Sequence, residues 1–185
     1  MSDSELYNPL PWFAFRVQSR FEKRVAAMAE SRGFESFLPL VRSRRTWSDR
    51  SKSLDLPLLP GYVFCRVDPK DRLLLLTIPG VLHIVGRGKL PVAIDEMEIR
   101  AMKAALASGL DTAPCPFLRV GQRVRLENGP LAGLDGFLVE RSDRHHLVVS
   151  ITLLQCSVVV EIKKEWVRPA NLPAGNLTLS EARIN

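Results

Sequence analysis

The side chains able to do covalent or metal chemistry are few in this chain and stand apart. Cys65, Cys115 and Cys156 are odd in number and widely spaced, with no C-x-x-C. That pattern suggests neither a zinc site nor a disulfide framework. Free thiols of this kind fit a reducing cytoplasm. His83, His145 and His146 have no ligand spacing with a cysteine or carboxylate and complete no nucleophile–base set. No glycine-rich phosphate cradle is present. The expectation is a protein without catalysis and without a cofactor or metal.

The chemistry that remains is association. Arg16, Arg20, Lys23 and Arg24 form one basic cluster. Arg42, Arg44, Arg45, Arg50 and Lys52 form a second, with Trp47 among them and Asp49 as its counter-charge. Both suit phosphate contacts that position a protein on nucleic acid without reading its sequence, and Trp47 could stack on a base. The alternatives are a solvated helix face and a solvated hairpin tip. The formal net charge of +6 is compatible with polyanions and with acidic protein faces alike.

A third group is apolar. Tyr62 and Phe64 share one face of an expected strand, opposite Val63 and Cys65. Pro60-Gly61 can kink the chain just before them. Large aromatics are the usual anchors of protein interfaces, so Tyr62 and Phe64 are expected at one, with Leu58 and Leu59 in the same patch; either Phe13 with Phe15, or Trp12 with Ala14 on the opposite face, would add to it. Core packing is the competing reading, since one face must serve the core.

Elements must hold these groups in place. Residues 12–18 are aromatic and β-favouring and predict a strand. Phe21, Val25, Met28 and Ala29 then fall on one helical face, with Ser19-x-x-Glu22 as a capping box and Gly33 as the stop. Residues 34–44 and 54–67 read as strands joined by the basic hairpin, with Pro57 and Pro60 restricting the second. A turn at Asp68-Pro69 opens a short helix. Residues 81–85 form another strand, and Asp95 caps a helix through residue 106. Small residues and prolines over 107–118 suggest a linker. Closely spaced β-type runs over 119–170 suggest a small barrel. Residues 1–11 and 171–185 are expected to be flexible ends. No apolar stretch is long enough to span a bilayer, and residues 1–11 are not a signal peptide.

Two strings carry a family resemblance. Val120-Gly121-x-x-Val124-x-Leu126, then Asn128-Gly129-Pro130-Leu131-Ala132-Gly133 and Gly136, resembles the KOW motif. Its glycines, Gly121, Gly129, Gly133 and Gly136, suit tight turns, and Leu131 can tuck beneath one. Trp12-Phe13-Ala14-Phe15, Leu59-Pro60-Gly61-Tyr62-Val63-Phe64, Ile78-Pro79-Gly80-Val81 and Ile94-Asp95-Glu96-Met97-Glu98-Ile99 are similar to the NusG N-terminal domain. In this order the strings resemble the NusG family of transcription factors, including its specialised RfaH-like paralogues, over residues 12–169.

The resemblance implies an α+β chain. A polymerase-binding domain over 12–106, an antiparallel sheet flanked by helices, precedes a linker and an SH3-like KOW barrel over 119–170. It implies an elongation regulator that suppresses pausing or termination. The Tyr62 patch would meet the β′ clamp helices of RNA polymerase. Asp71, Arg72 and Leu73 would approach the β subunit, although this loop is short and lacks threonines. Arg16, Arg20, Lys23, Arg24, Arg44, Arg45 and Trp47 would lie near upstream or non-template DNA, although Gln18 stands where a paralogue would be basic. Phe137 and the Leu153-Leu154-Gln155 turn would form the KOW partner face, toward Rho or a ribosomal small-subunit protein, and Cys156 departs from the family there. The implied protein is a cytoplasmic monomer with no membrane contact. The different-class alternative is a ribosomal or RNA-binding KOW protein that acts without polymerase.

Overall fold

The computed structural model describes residues 10–47, 50–88, 90–116, 122–141 and 144–169. The flexible ends expected over 1–11 and 171–185 fall largely or wholly outside the described residues, as does Gly121. The chain runs through β1 (Trp12–Val17), α1 (Glu22–Ser31), β2 (Glu35–Phe37), β3 (Leu40–Trp47), β4 (Arg50–Pro57) and β5 (Tyr62–Arg66). It continues through α2 (Arg72–Leu76), β6 (Val81–Ile84), β7 (Gly86–Arg87), β8 (Leu90–Pro91) and α3 (Glu96–Ala107). The C-terminal part holds β9 (Thr112–Pro116), β10 (Gln122–Leu126), β11 (Asp135–Arg141), β12 (Arg144–Ile151), β13 (Cys156–Ile162) and β14 (Val167–Pro169). A 3-10 turn, Thr152–Leu154, separates β12 from β13.

In the N-terminal part the strands order as β2-β5-β1-β6, all antiparallel, and β3 and β4 pair as a separate hairpin. β1 is central and buried on both faces. Phe13, Phe15 and Val17 point to the side covered by Val25, Ala26 and Ala29 of α1, with Val63, Cys65, Leu75 and Ile78. Trp12 and Ala14 point to the other side, with Leu58, Leu59, Phe64 and the α3 residues Ile99, Met102 and Ala105. Burial pushes the Cys65 thiol up to about 12, with the Glu30 carboxylate adding to it, so this cysteine stays protonated and inert.

α1 ends as its sequence predicts. Gly33 N–H donates to Glu30 O (2.9 Å) and Phe34 N–H to Ala29 O (3.1 Å), the paired bonds of a Schellman motif. Its start differs. The expected Ser19 capping box does not form: the N-cap position is Phe21, with no side-chain cap bond. Glu22, read as the partner of Ser19 in that box, is instead buried, and its carboxylate accepts from the Gly61 N–H. Asp95 does cap α3, accepting from Met97 N–H at 2.8 Å.

Charged groups fasten α3 to the sheet edge. Arg66 Nη2 donates to both Glu96 oxygens at 2.7 Å. Glu35 faces Arg66 at 3.4 Å and Lys103 at 3.1 Å. The Trp12 ring meets both cations, 5.0 Å from the Arg66 guanidinium and 4.5 Å from Lys103 Nζ, in cation–π contacts.

The C-terminal strands form one antiparallel sheet in the order β14-β10-β11-β12-β13-β9. Val124, Leu126, Leu131, Leu147, Val149, Ile151, Val158, Val160 and Ile162 are all buried in one cluster, so the sheet wraps its own core. The fold class is α+β, with the β-rich C-terminal domain expected of a KOW module. Leu131 tucks under the Asn128-Gly129-Pro130 turn as expected. Gly129 has φ +80°, and a Cβ there would come within 2.7 Å of the Trp166 ring. Gly136 serves no turn. It lies inside β11, where a Cβ would meet Leu147 and the Val148 carbonyl. The expected linker is also shorter than read: Thr112–Pro116 pairs with β13 as the edge strand β9, where Pro114 and Pro116 are tolerated.

The two parts are not separate bodies. The β12 side chains alternate between the inner core and the outer face, yet Val148 on the outer face is also buried. α3 packs on β12 from that side. The apolar cluster on the α3 face of the N-terminal sheet runs without a break into the C-terminal core.

α3 is therefore a wall with one wet edge. Met102→Ala is expected to lower unfolding free energy by about 2–5 kcal/mol in urea titrations, through the cavity it leaves. Met97→Ala, at an exposed position, should stay within about 0.5 kcal/mol.

Candidate interaction surface

Tyr62 stands at the start of β5, directly across from Arg16 on β1, which in turn pairs with His83 on β6. The Arg16 guanidinium lies 4.7 Å from the centre of the Tyr62 ring and donates to Pro60 O at 3.3 Å. Gly61 has φ +81°, a conformation that favours glycine, and a Cβ there would sit 2.5 Å from Arg16 Nη1, so the guanidinium would have to shift. Gly61 N–H donates to Glu22 Oε1 at 2.8 Å, and its carbonyl accepts from Val17 N–H at 2.9 Å. The result is a half-buried aromatic under a half-buried cation, on a turn pinned from several sides.

The rest of the expected apolar patch is corrected by burial. Phe64 is completely enclosed, its ring 5.9 Å from that of Phe37. Leu58 and Leu59 are buried in the same cluster. Phe13 is buried on the opposite face, against α1. The physical reason is that both faces of the sheet are covered, by α1 and α2 on one side and by α3 with the C-terminal sheet on the other. Alternation along β5 placed Tyr62 and Phe64 on one face correctly. It could not reveal that α3 reaches over Phe64.

The C-terminal sheet lies beside this surface. Tyr62, Leu153, Leu154 and Cys156 all border the shared apolar cluster. The Cys156 thiol is raised by burial and pulled back in part by the nearby Arg16 charge. A polar bond joins α3 to the C-terminal part: the Glu98 carboxylate accepts from Thr152 N–H, both oxygens at 3.1 Å. Glu98 thus meets the free N–H at the start of the 3-10 turn, as a capping carboxylate would. Phe137 is neither fully exposed nor in the barrel core. It is half-buried opposite Val148 and lines a groove with Met97, Glu98, Ala101 and Arg123. The face read as the partner surface of the second domain is therefore turned toward α3. Sequence reasoning missed both Glu98 and Glu22, because each reads as an ordinary first-turn acid.

The basic residues divide. Arg20, Lys23 and Arg24 are exposed around the start of α1, Arg20 at φ +70° and Arg24 over the Phe21 ring at 5.9 Å. Arg16 is turned instead toward Tyr62. The Arg44, Arg45 and Trp47 backbones belong to β3, and their side chains lie outside the described residues. Asp71 is exposed, Arg72 donates to Pro69 O, and Leu73 is 62 % exposed beside Leu74 on α2. The α2 end is fastened by Arg32, which donates to Leu74 O (2.6 Å) and Thr77 Oγ1 (2.8 Å). Among the described residues no group of three or more His, Cys, Asp or Glu could hold a metal ion. No helix among them is long and apolar enough to cross a membrane.

Comparison with known proteins finds relatives of one family. The family model described as transcription termination factor nusG matches residues 10–103, just over half of the chain. The transcription termination/antitermination protein NusG of Neisseria meningitidis serogroup B is 26 % identical over 180 residues, covering 86 % of this chain and 98 % of that protein. The protein of the same name from Rickettsia felis is 23 % identical over 158 residues, covering 83 % of this chain and 82 % of its own length. A solved structure of Thermotoga maritima NusG aligns with a TM-score of 0.49 at 20 % identity, covering 86 % of this chain and 97 % of that one. With its N-terminal sheet and helices inside the matched segment and a β-rich domain after it, the chain belongs to the NusG family of transcription termination and antitermination proteins.

Proposed function

We propose that this chain is a non-catalytic regulator of transcription elongation. It binds RNA polymerase through its N-terminal domain, suppresses pausing or termination, and recruits a second factor through its C-terminal domain. The observation that carries this reading is Tyr62, held half-buried on a rigid turn beneath Arg16 in a chain of this family. An aromatic presented this way suits insertion against a helical hairpin such as the β′ clamp helices. Arg20, Lys23 and Arg24 form an exposed basic rim that suits upstream or non-template DNA phosphates. Asp71, Arg72 and Leu73 offer a mixed polar and apolar contact for the β subunit. The chain acts as a cytoplasmic monomer, and its C-terminal partner is Rho or a ribosomal small-subunit protein.

In the arrangement described above, α3 and the C-terminal sheet occupy each other's faces. Polymerase binding at Tyr62 and partner binding at Phe137, Leu153 and Leu154 then both favour release of that contact. A ligand that prefers the released state shifts the population toward it.

Affinity for core RNA polymerase tests this reading. Tyr62→Ala should weaken binding by at least about tenfold, the loss typical of a central aromatic anchor. Binding unchanged by Tyr62→Ala removes the site; tight, salt-steep RNA binding without polymerase favours the ribosomal alternative. Glu98→Ala, which removes the interdomain bond to Thr152, should raise polymerase affinity a few-fold and increase the radius of gyration in X-ray scattering. Lower affinity with an unchanged radius would contradict the masking.

A further inference from the structure

We propose that Glu22 is a positioning residue for Tyr62, acting through the Gly61 amide; this rests on Tyr62 being the polymerase-facing aromatic. Glu22 is 4 % exposed, and with Ser157 it is one of two buried polar or charged residues among those described. A buried carboxylate persists where its charge is met. Two features meet it. Glu22 is the first residue of α1, where the helix dipole favours negative charge. Its Oε1 also accepts the Gly61 N–H at 2.8 Å, across a separation of 39 residues.

That bond completes a set of contacts around one residue, Gly61. The Gly61 carbonyl is taken by Val17 N–H, and the Arg16 side chain lies so close to Gly61 that a Cβ there would overlap it. Arg16 also grips the Pro60 carbonyl and covers the Tyr62 ring. Residue 61 is therefore held at both its N–H and its C=O, and Tyr62 follows directly. A side chain ordered before binding loses less freedom on binding. Without the Glu22 acceptor, the Gly61 N–H faces a buried space with no partner, and the turn must move to satisfy it. Tyr62 would then be present but no longer held in place.

The test is a double-mutant cycle in the full chain, read as affinity for core RNA polymerase. Glu22→Ala should weaken binding about tenfold with the circular dichroism spectrum unchanged. Glu22→Gln keeps an acceptor oxygen and should recover most of that loss. Glu22→Ala combined with Tyr62→Ala should bind no more weakly than Tyr62→Ala alone, because the two act as a unit. Should Glu22→Ala not fold, Glu22→Asp, a methylene too short to reach Gly61, takes its place. In the free protein, Gly61 amide exchange should be slow in wild type and Glu22→Gln and fast in Glu22→Ala. Additive losses, or a Gly61 amide exchanging freely in wild type, overturn the proposal. If Tyr62→Ala binds like wild type, the reading of Tyr62 fails first and the role of Glu22 falls with it.

Discussion

The structure depends on the burial of both faces of α3. One face closes the N-terminal sheet through Ile99, Met102 and Ala105; the other lies on β12 of the C-terminal sheet. A helix apolar on one stripe alone would end a domain at a wet surface. Here the small residues Ala101 and Ala104 widen that stripe enough for a second sheet to approach. Continuous apolar burial across two sheets makes their separation a matter of differential affinity. Any ligand must outcompete the contact area and the Glu98 to Thr152 bond together.

The charged groups around Trp12 act differently. Arg66, Glu96, Glu35 and Lys103 are partly exposed, and pairs of this kind contribute little individually. Their value is geometric. They join β2, β5 and α3 over one indole ring, so α3 can lose its contact with the C-terminal domain without drifting from the sheet beneath it.

Much of the architecture was legible in the sequence because it is local. The period change after residue 18, the Asp95 cap, the Gly33 stop and the closely spaced β-type runs over 119–170 each need only neighbouring residues. What failed was non-local. The Ser19-x-x-Glu22 spacing is the same whether Glu22 folds back on its own helix or reaches a turn 39 residues away. Leu58, Leu59, Phe64 and Phe13 read as an apolar patch, and only the packing of α1 and α3 decides that they are core. Proline-rich residues 112–116 looked like free chain because an edge strand tolerates the residues that a linker prefers.

That edge strand also sets how far the C-terminal domain can travel. Only residues 108–111 join the end of α3 to β9. Fully extended, they span about 14 Å, little more than the thickness of one packed layer. If β9 stays zipped to β13, the barrel remains leashed at the rim of its partner. If β9 peels away, residues 108–116 extend to about 30 Å, and the uncovered flank of β13 offers unpaired backbone groups to another strand. Reach and edge pairing are thus coupled: a longer leash comes with an open sheet margin.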